Sequence, residues 1–245
     1  MEHKGRKAWV PELSEQLREV DRLRRSGRYE TALSLIRQLA EAHPEQVRVL
    51  FELAVTLGIW GGAPAEALPW FERVLALAPG HLSTQFHRAL TLARLGRHEE
   101  AVAGFDAAAA AGFRKSLVLH MKRAESLKAL GRLAEAERDW TRALAEDPGN
   151  PWLLQQRAGV RAGLGQLEEA IQDLGEALAS QQGEEVDPEL LYERGVLRQR
   201  RGDGAGARAD FEAGMAALRR GDPPGLRELL RASLEATTPP GRGSP

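Results

Sequence analysis

The stretch AESLKALGRLAEAERDW, residues 124–140, decides the fold. Ala124 and Leu127 stand three apart, the spacing of neighbours on one helical face; Gly131 interrupts the pattern, and Ala136 and Trp140 resume it four apart. Two helical patterns broken at a glycine describe an antiparallel helical hairpin.

The same punctuation recurs along the 245 residues, a glycine followed five residues later by alanine. The pairs are Gly27/Ala32, Gly96/Ala101, Gly131/Ala136, Gly165/Ala170 and Gly202/Ala207; Gly61 or Gly62 with Ala67 supplies another, with one residue inserted around 60–64. Between successive alanines the intervals are 35, 34, 35, 34 and 37, too regular for chance. Seven residues before each glycine stands a mostly small residue: Ala54, Ala89, Ala124, Ala158 and Gly195, with Val20 departing. Three residues further on come Leu23, Leu57, Leu92 and Leu127, whereas Arg161 and Arg198 depart. Four residues after each alanine comes a large apolar side chain: Ile36, Phe71, Phe105, Trp140, Leu174 or Phe211. Small residues let the two helix axes approach closely, and the bulky residue fills the remaining space.

This pattern resembles the tetratricopeptide repeat, with closing prolines at Pro44, Pro79 and Pro148 where that family ends its second helix; Phe113, Gln182 and Arg219 stand there in the other repeats. The resemblance implies an all-α fold, a right-handed α-solenoid of about six helical hairpins plus a C-terminal capping helix. The expected layout is an N-terminal extension at 1–10, six repeats at 11–220, a capping helix at 221–236 and a flexible tail at 237–245. Pro11 suits a first helical turn, and Leu226, Leu229, Leu230 and Leu234 would share the apolar face of the cap. The sixth turn, Gly202 to Gly206, departs most from the pattern and is expected to be loosened.

Composition narrows the function. Lys and Arg number 34 against 35 Asp and Glu, a net charge of -1, and the basic residues are dispersed without an aromatic stacking platform, so no nucleic-acid partner is expected. No apolar run approaches the roughly 20 residues that span a bilayer, so no membrane insertion is expected. The opening residues carry charge without an apolar core behind it, so no secretory leader is expected and the cytoplasm is the expected location. There are no cysteines, and the six histidines have no zinc-protease spacing and read as solvated. No phosphate-binding loop or hydrolase elbow occurs. No catalytic residue, metal or cofactor is therefore expected, and the chain reads as a non-enzyme.

On each first helix, the face that closes the hairpin and a second face lie roughly 140° apart, so both cannot pack on one partner helix. In the resembled family the second face lines a concave groove. Ten residues before each turn glycine stand Leu17, Phe51, Phe86, Met121, Gln155 and Tyr192; six before stand Asp21, Val55, Leu90, Glu125, Gly159 and Val196. The expected protein-binding groove is Phe51, Val55, Phe86, Leu90 and Met121, flanked by Trp152 and Tyr192. The lysine and asparagine with which some family members grip a terminal carboxylate stand together in no repeat. Two functions follow: a scaffold holding an apolar or amphipathic segment of a protein or peptide partner, or a self-assembling solenoid subunit whose apolar face is covered by itself or a second copy. Residues eight before and eight after the glycine face each other across a hairpin. Contacts are therefore expected in at least two of the pairs Arg123/Asp139, Arg157/Asp173 and Arg194/Asp210.

Overall fold

The glycines that punctuate the sequence hold left-handed backbone: Gly27, Gly62, Gly96, Gly131, Gly165 and Gly202, with φ between 68° and 93°. A side chain resists that conformation, and it lets the carbonyls left over at a helix end be met while the chain turns back. In a computed structural model describing residues 11–113, 116–181, 186–219, 221–223 and 225–237, the turns separate these helices: α1 (Pro11–Arg25), α2 (Tyr29–Ala42), α3 (Val47–Val55), α4 (Pro64–Leu77), α5 (Leu82–Arg94), α6 (His98–Ala110), α7 (Ser116–Ala129), α8 (Leu133–Glu146), α9 (Pro151–Gly163), α10 (Leu167–Ser180), α11 (Pro188–Arg201), α12 (Gly204–Ala217) and α13 (Leu226–Thr237). The fold is all-α, with no strand among the described residues. The expected extension at 1–10, and the expected tail beyond Thr237, lie outside them.

Five turns share one pair of hydrogen bonds. In the third repeat, Arg97 N–H donates to Leu92 O at 2.9 Å and Gly96 N–H to Ala93 O at 3.0 Å. The bond that spans five residues recurs as Arg28 to Leu23, Arg132 to Leu127, Gln166 to Arg161 and Asp203 to Arg198. The second repeat differs because of its inserted residue. There α3 runs on into a π-helical turn, Thr56–Trp60, and Ala63 N–H reaches Leu57 O at 3.1 Å, one residue further along than in the other turns. The insertion is thus absorbed as a widening of the first helix, which leaves Gly62 in register with Ala67. Arg94 caps the wide turn by donating to Gly58 O at 2.6 Å and to Ile59 O.

The sixth turn is as tight as the others. Gly202 closes α11 in left-handed backbone, and the Asp203 carboxylate accepts from Gly206 N–H at 2.9 Å to cap α12. That bond holds the Asp203 carboxyl below its usual range, against a smaller opposing effect of burial and with help from Arg201 and Arg198.

The chain divides into two compact units, residues 1–126 and 127–245, with the boundary inside α7. In the first, α1 packs on α2, α3 on α4 and α5 on α6, while α2 also meets α3 and α4 meets α5. In the second, α9 packs on α10 and α11 on α12, with α8 on α9, α10 on α11 and α13 on α12. The repeated alanines Ala32, Ala67, Ala101, Ala136, Ala170 and Ala207 are wholly buried, as are Ile36, Phe71, Phe105, Trp140 and Phe211 one helical turn later. A side chain at Gly195 would place its Cβ 2.5 Å from Phe211 Cε1, so α11 can lie against α12 only with glycine there. On α13, Leu226 and Leu230 are buried in a cluster with Ala207 and Phe211, and Leu234 packs beside it. Leu229 instead stands on the outer edge of that stripe, 49% exposed.

The expected pairs Arg157/Asp173 and Arg194/Asp210 form. Arg157 grips Asp173 with Nε at 3.0 Å and Nη2 at 2.8 Å, and Arg194 grips Asp210 with Nε at 3.0 Å and Nη2 at 2.6 Å. Arg161 and Arg198, the departures from leucine, each add a second guanidinium to the same carboxylate at 2.8 and 2.9 Å. In these two repeats the arginine that stands in place of leucine gives the buried aspartate a second charged donor. Arg123 bonds Asp106, and Asp139 bonds Arg142 at 3.2 Å.

Candidate functional site

The first helices carry the face expected to bind. Phe51 on α3 is half-buried, with His81 and His87 edge-on at ring-centroid distances of 5.1 and 5.3 Å. Val55 is buried in the core of the first repeats. On α5, Phe86 is 4% exposed because Phe113, at the position where other repeats close with proline, stacks on it at 4.5 Å. Leu90 and Met121 are half-buried. The residues of the first unit therefore split into a closed floor, Val55 and Phe86, and accessible side chains at Phe51, Leu90 and Met121. In the second unit Trp152 is 42% exposed, its ring edge-on to the buried Trp140 at 5.5 Å, and Tyr192 is half-buried against Phe211 at 6.1 Å.

Each unit holds a hollow on this face. In the first, a cavity of about 350 Å³ lies between α5 and α7, with Leu90, Ala93, Lys122, Glu125 and Ser126 on its walls, Ile59 and Arg94 at the wide turn, and His98. Arg94 is engaged by the turn's carbonyls and Lys122 by both oxygens of Glu125 at 2.9 Å, so the cations here are largely matched. In the second unit, a cavity of about 280 Å³ lies between α9 and α11, walled by Gln155, Ala158, Gly159 and Ala162 from α9 and Tyr192, Glu193, Val196 and Leu197 from α11, with Lys128 and Leu174 beside it. Both cavities contain residues six before the turn glycine, Leu90 and Glu125 in one and Gly159 and Val196 in the other, so the hollows follow the repeat.

Some of this face was not legible as a sequence pattern. His87 packs edge-on to both Phe51 and Phe86, at 5.3 and 5.4 Å, and its Nδ1 lies 2.8 Å from Ser83 O. His81, His87 and His98 are half-buried rather than solvated, since helix starts and inter-helix seams enclose their rings. Glu193 is a carboxyl on a mostly apolar wall, accepting from Gln155 Nε2 at 3.0 Å. Burial pushes the Glu193 carboxyl above its usual range; the Gln155 bond opposes this, Glu189 and Asp187 add to it, and Lys128 slightly offsets it. The described residues hold no group of three or more His, Asp or Glu side chains placed to bind a metal. No helix among them is long and apolar enough to cross a membrane.

Comparison with known proteins agrees with this architecture. The family model for the tetratricopeptide repeat matches residues 17–81 and 61–115. No curated protein matches the chain. Among solved structures, the type IV pilus biogenesis factor PilW is similar at 18% identity and TM-score 0.72, over 90% of this chain and 97% of that one. YrrB, described as a TPR protein with an unusual peptide-binding site, is similar at 16% identity and TM-score 0.66, over 82% of this chain and 97% of its own. MamA from Desulfovibrio magneticus RS-1 is similar at 18% identity and TM-score 0.64, over 72% and 97%. With the glycine-alanine period, the left-handed turns and the helix-on-helix packing, these likenesses show the fold of a tetratricopeptide repeat solenoid, and the family model identifies the tetratricopeptide repeat itself within residues 17–115.

Proposed function

We propose that this chain is a non-catalytic scaffold that holds an apolar or amphipathic segment of a protein partner against the first-helix face of its repeats. The layout proposed with it is six repeats over 11–220, capped by 221–236, acting in the cytoplasm. The observation that carries the reading is the pair of hollows at repeat-equivalent positions, each mixing apolar walls with a few polar groups, the composition of a ligand-binding surface. Phe51, Leu90, Met121, Trp152 and Tyr192 offer the contact area, with Val55 and Phe86 as the floor beneath. The peptide-binding site described for YrrB supports the same class of partner.

The test is Leu90→Glu combined with Met121→Glu. Both side chains are half-buried, so the account expects lost partner binding with a melting temperature close to that of the native chain. Undiminished binding by this variant would place the interface elsewhere. Phe86→Asp serves as the contrast, because a charge on that buried ring position should lower the melting temperature strongly. A second reading, self-assembly, draws on the exposed Leu229 of the terminal helix. Light scattering coupled to size exclusion separates the two: a monomer favours the scaffold, and a dimer abolished by Leu229→Glu favours self-assembly.

A further inference from the structure

We propose that the slot between α9 and α11 takes a lysine or arginine side chain of the bound segment, its aliphatic stem against Val196 and Ala162 and its cationic head on the Glu193 carboxylate. The inference rests on the scaffold reading above and adds the chemistry by which one part of the face selects its ligand.

Three observations converge on that occupant. The first is space. Every other repeat carries a side chain six residues before the turn glycine, Asp21, Val55, Leu90, Glu125 or Val196, whereas α9 has Gly159. A Cβ built there meets only Lys128 Nζ, at 3.9 Å, so Gly159 relieves no clash; its effect is to leave the slot of about 280 Å³ open. The second is charge. Asp173 and Asp210, two of the buried aspartates of this unit, each hold two arginines, while Glu193 accepts a single neutral amide bond from Gln155 among the described residues. Glu193 is thus a partly buried carboxylate with no arginine or lysine among the described residues in ion-pair contact, which leaves a cation's place unfilled. Glu189 and Asp187 deepen the negative potential, and Lys128 acts weakly enough that burial still holds the Glu193 carboxyl above its ordinary range. The third is the lining, in which apolar groups from both helices lead to the carboxylate. A long amphipathic side chain buries its methylenes along such walls and delivers its charge at the end. An anionic ligand would meet repulsion from Glu193, and a wholly apolar one would leave that carboxylate buried without a counter-charge.

The experiment selects random dodecapeptides on the full chain by display, then measures the best binder and its counterpart with norleucine in place of the basic residue by titration calorimetry at pH 7. The selected peptides should combine apolar residues with one enriched lysine or arginine. Norleucine should cost roughly tenfold in affinity against the native chain and almost nothing against Glu193→Gln. Gly159→Leu, which fills the slot and favours the helix, should likewise erase the preference with a melting temperature no lower than that of the native chain. Affinity of the basic peptide should also fall as pH drops through the raised Glu193 titration, since the neutral acid no longer attracts the cation. Apolar peptides selected with no basic residue enriched, or an equal norleucine penalty in native and Glu193→Gln chains, would overturn the inference and leave the scaffold reading standing. Recovery of no peptide at all would overturn both.

Discussion

Replacing Asp173 with alanine removes the acceptor at the centre of the fifth hairpin. Asp173 is 2% exposed, and its carboxylate takes three charged hydrogen bonds, two from Arg157 and one from Arg161 at 2.8 Å. Breaking a buried ion pair by deleting one partner costs about 3–5 kcal/mol, because the other charge stays buried without compensation. Here the loss is softened. The arginine side chains are 15% and 18% exposed, Arg161 keeps Glu137 at 3.1 Å, and Arg157 keeps a long contact with Thr141. A destabilisation of about 2–3 kcal/mol is therefore expected. The assay is urea unfolding followed by tryptophan fluorescence, since Trp140 and Trp152 lie in the same unit. Glu135→Ala is the control; its pair with Arg132 is 40–44% exposed and should contribute under about 0.5 kcal/mol. Changing Arg157, Arg161 and Asp173 together to leucine restores at position 161 the residue of the earlier repeats and should recover much of the loss. An Asp173→Ala cost no larger than that of Glu135→Ala would refute the claim that these arginines fix the hairpin.

Further outcomes follow from individual contacts. Gly195→Val drives a side chain into the Phe211 ring and should cost at least about 1–3 kcal/mol in the same unfolding experiment. Glu193→Gln should raise the melting temperature near pH 7 and leave it unchanged near pH 4. A carboxyl whose folded titration lies above its unfolded one stabilises the fold while protonated in both states, and that stability is lost as pH rises through the folded titration. A variant less stable than the native chain at neutral pH would show that Glu193 is paired after all.

The hairpins were legible because their constraint is local and repeated. An alanine buried at 0% in every repeat admits nothing larger, and a turn that needs left-handed backbone selects glycine, so both leave marks at a fixed period. The inserted residue near Trp60 was legible as an offset, but whether it enlarges the turn or widens the helix depends on which carbonyls Arg94 can reach. Arg161 and Arg198 read as departures until the buried aspartate opposite each was in place. The binding face was legible as a helical face and not residue by residue. Phe86 closes because Phe113 reaches over it, and the Gln155–Glu193 bond joins helices 38 residues apart whose register no single-repeat pattern encodes.

The central claim, that the first-helix face binds a protein segment, is tested most directly by hydrogen exchange of the chain with and without a saturating peptide from the display selection. The account predicts added protection in α5 and α7 of the first unit and in α9 and α11 of the second, with the second helices α4, α6, α10 and α12 little changed. Protection concentrated on those second helices, or none on any first helix at saturation, would contradict it.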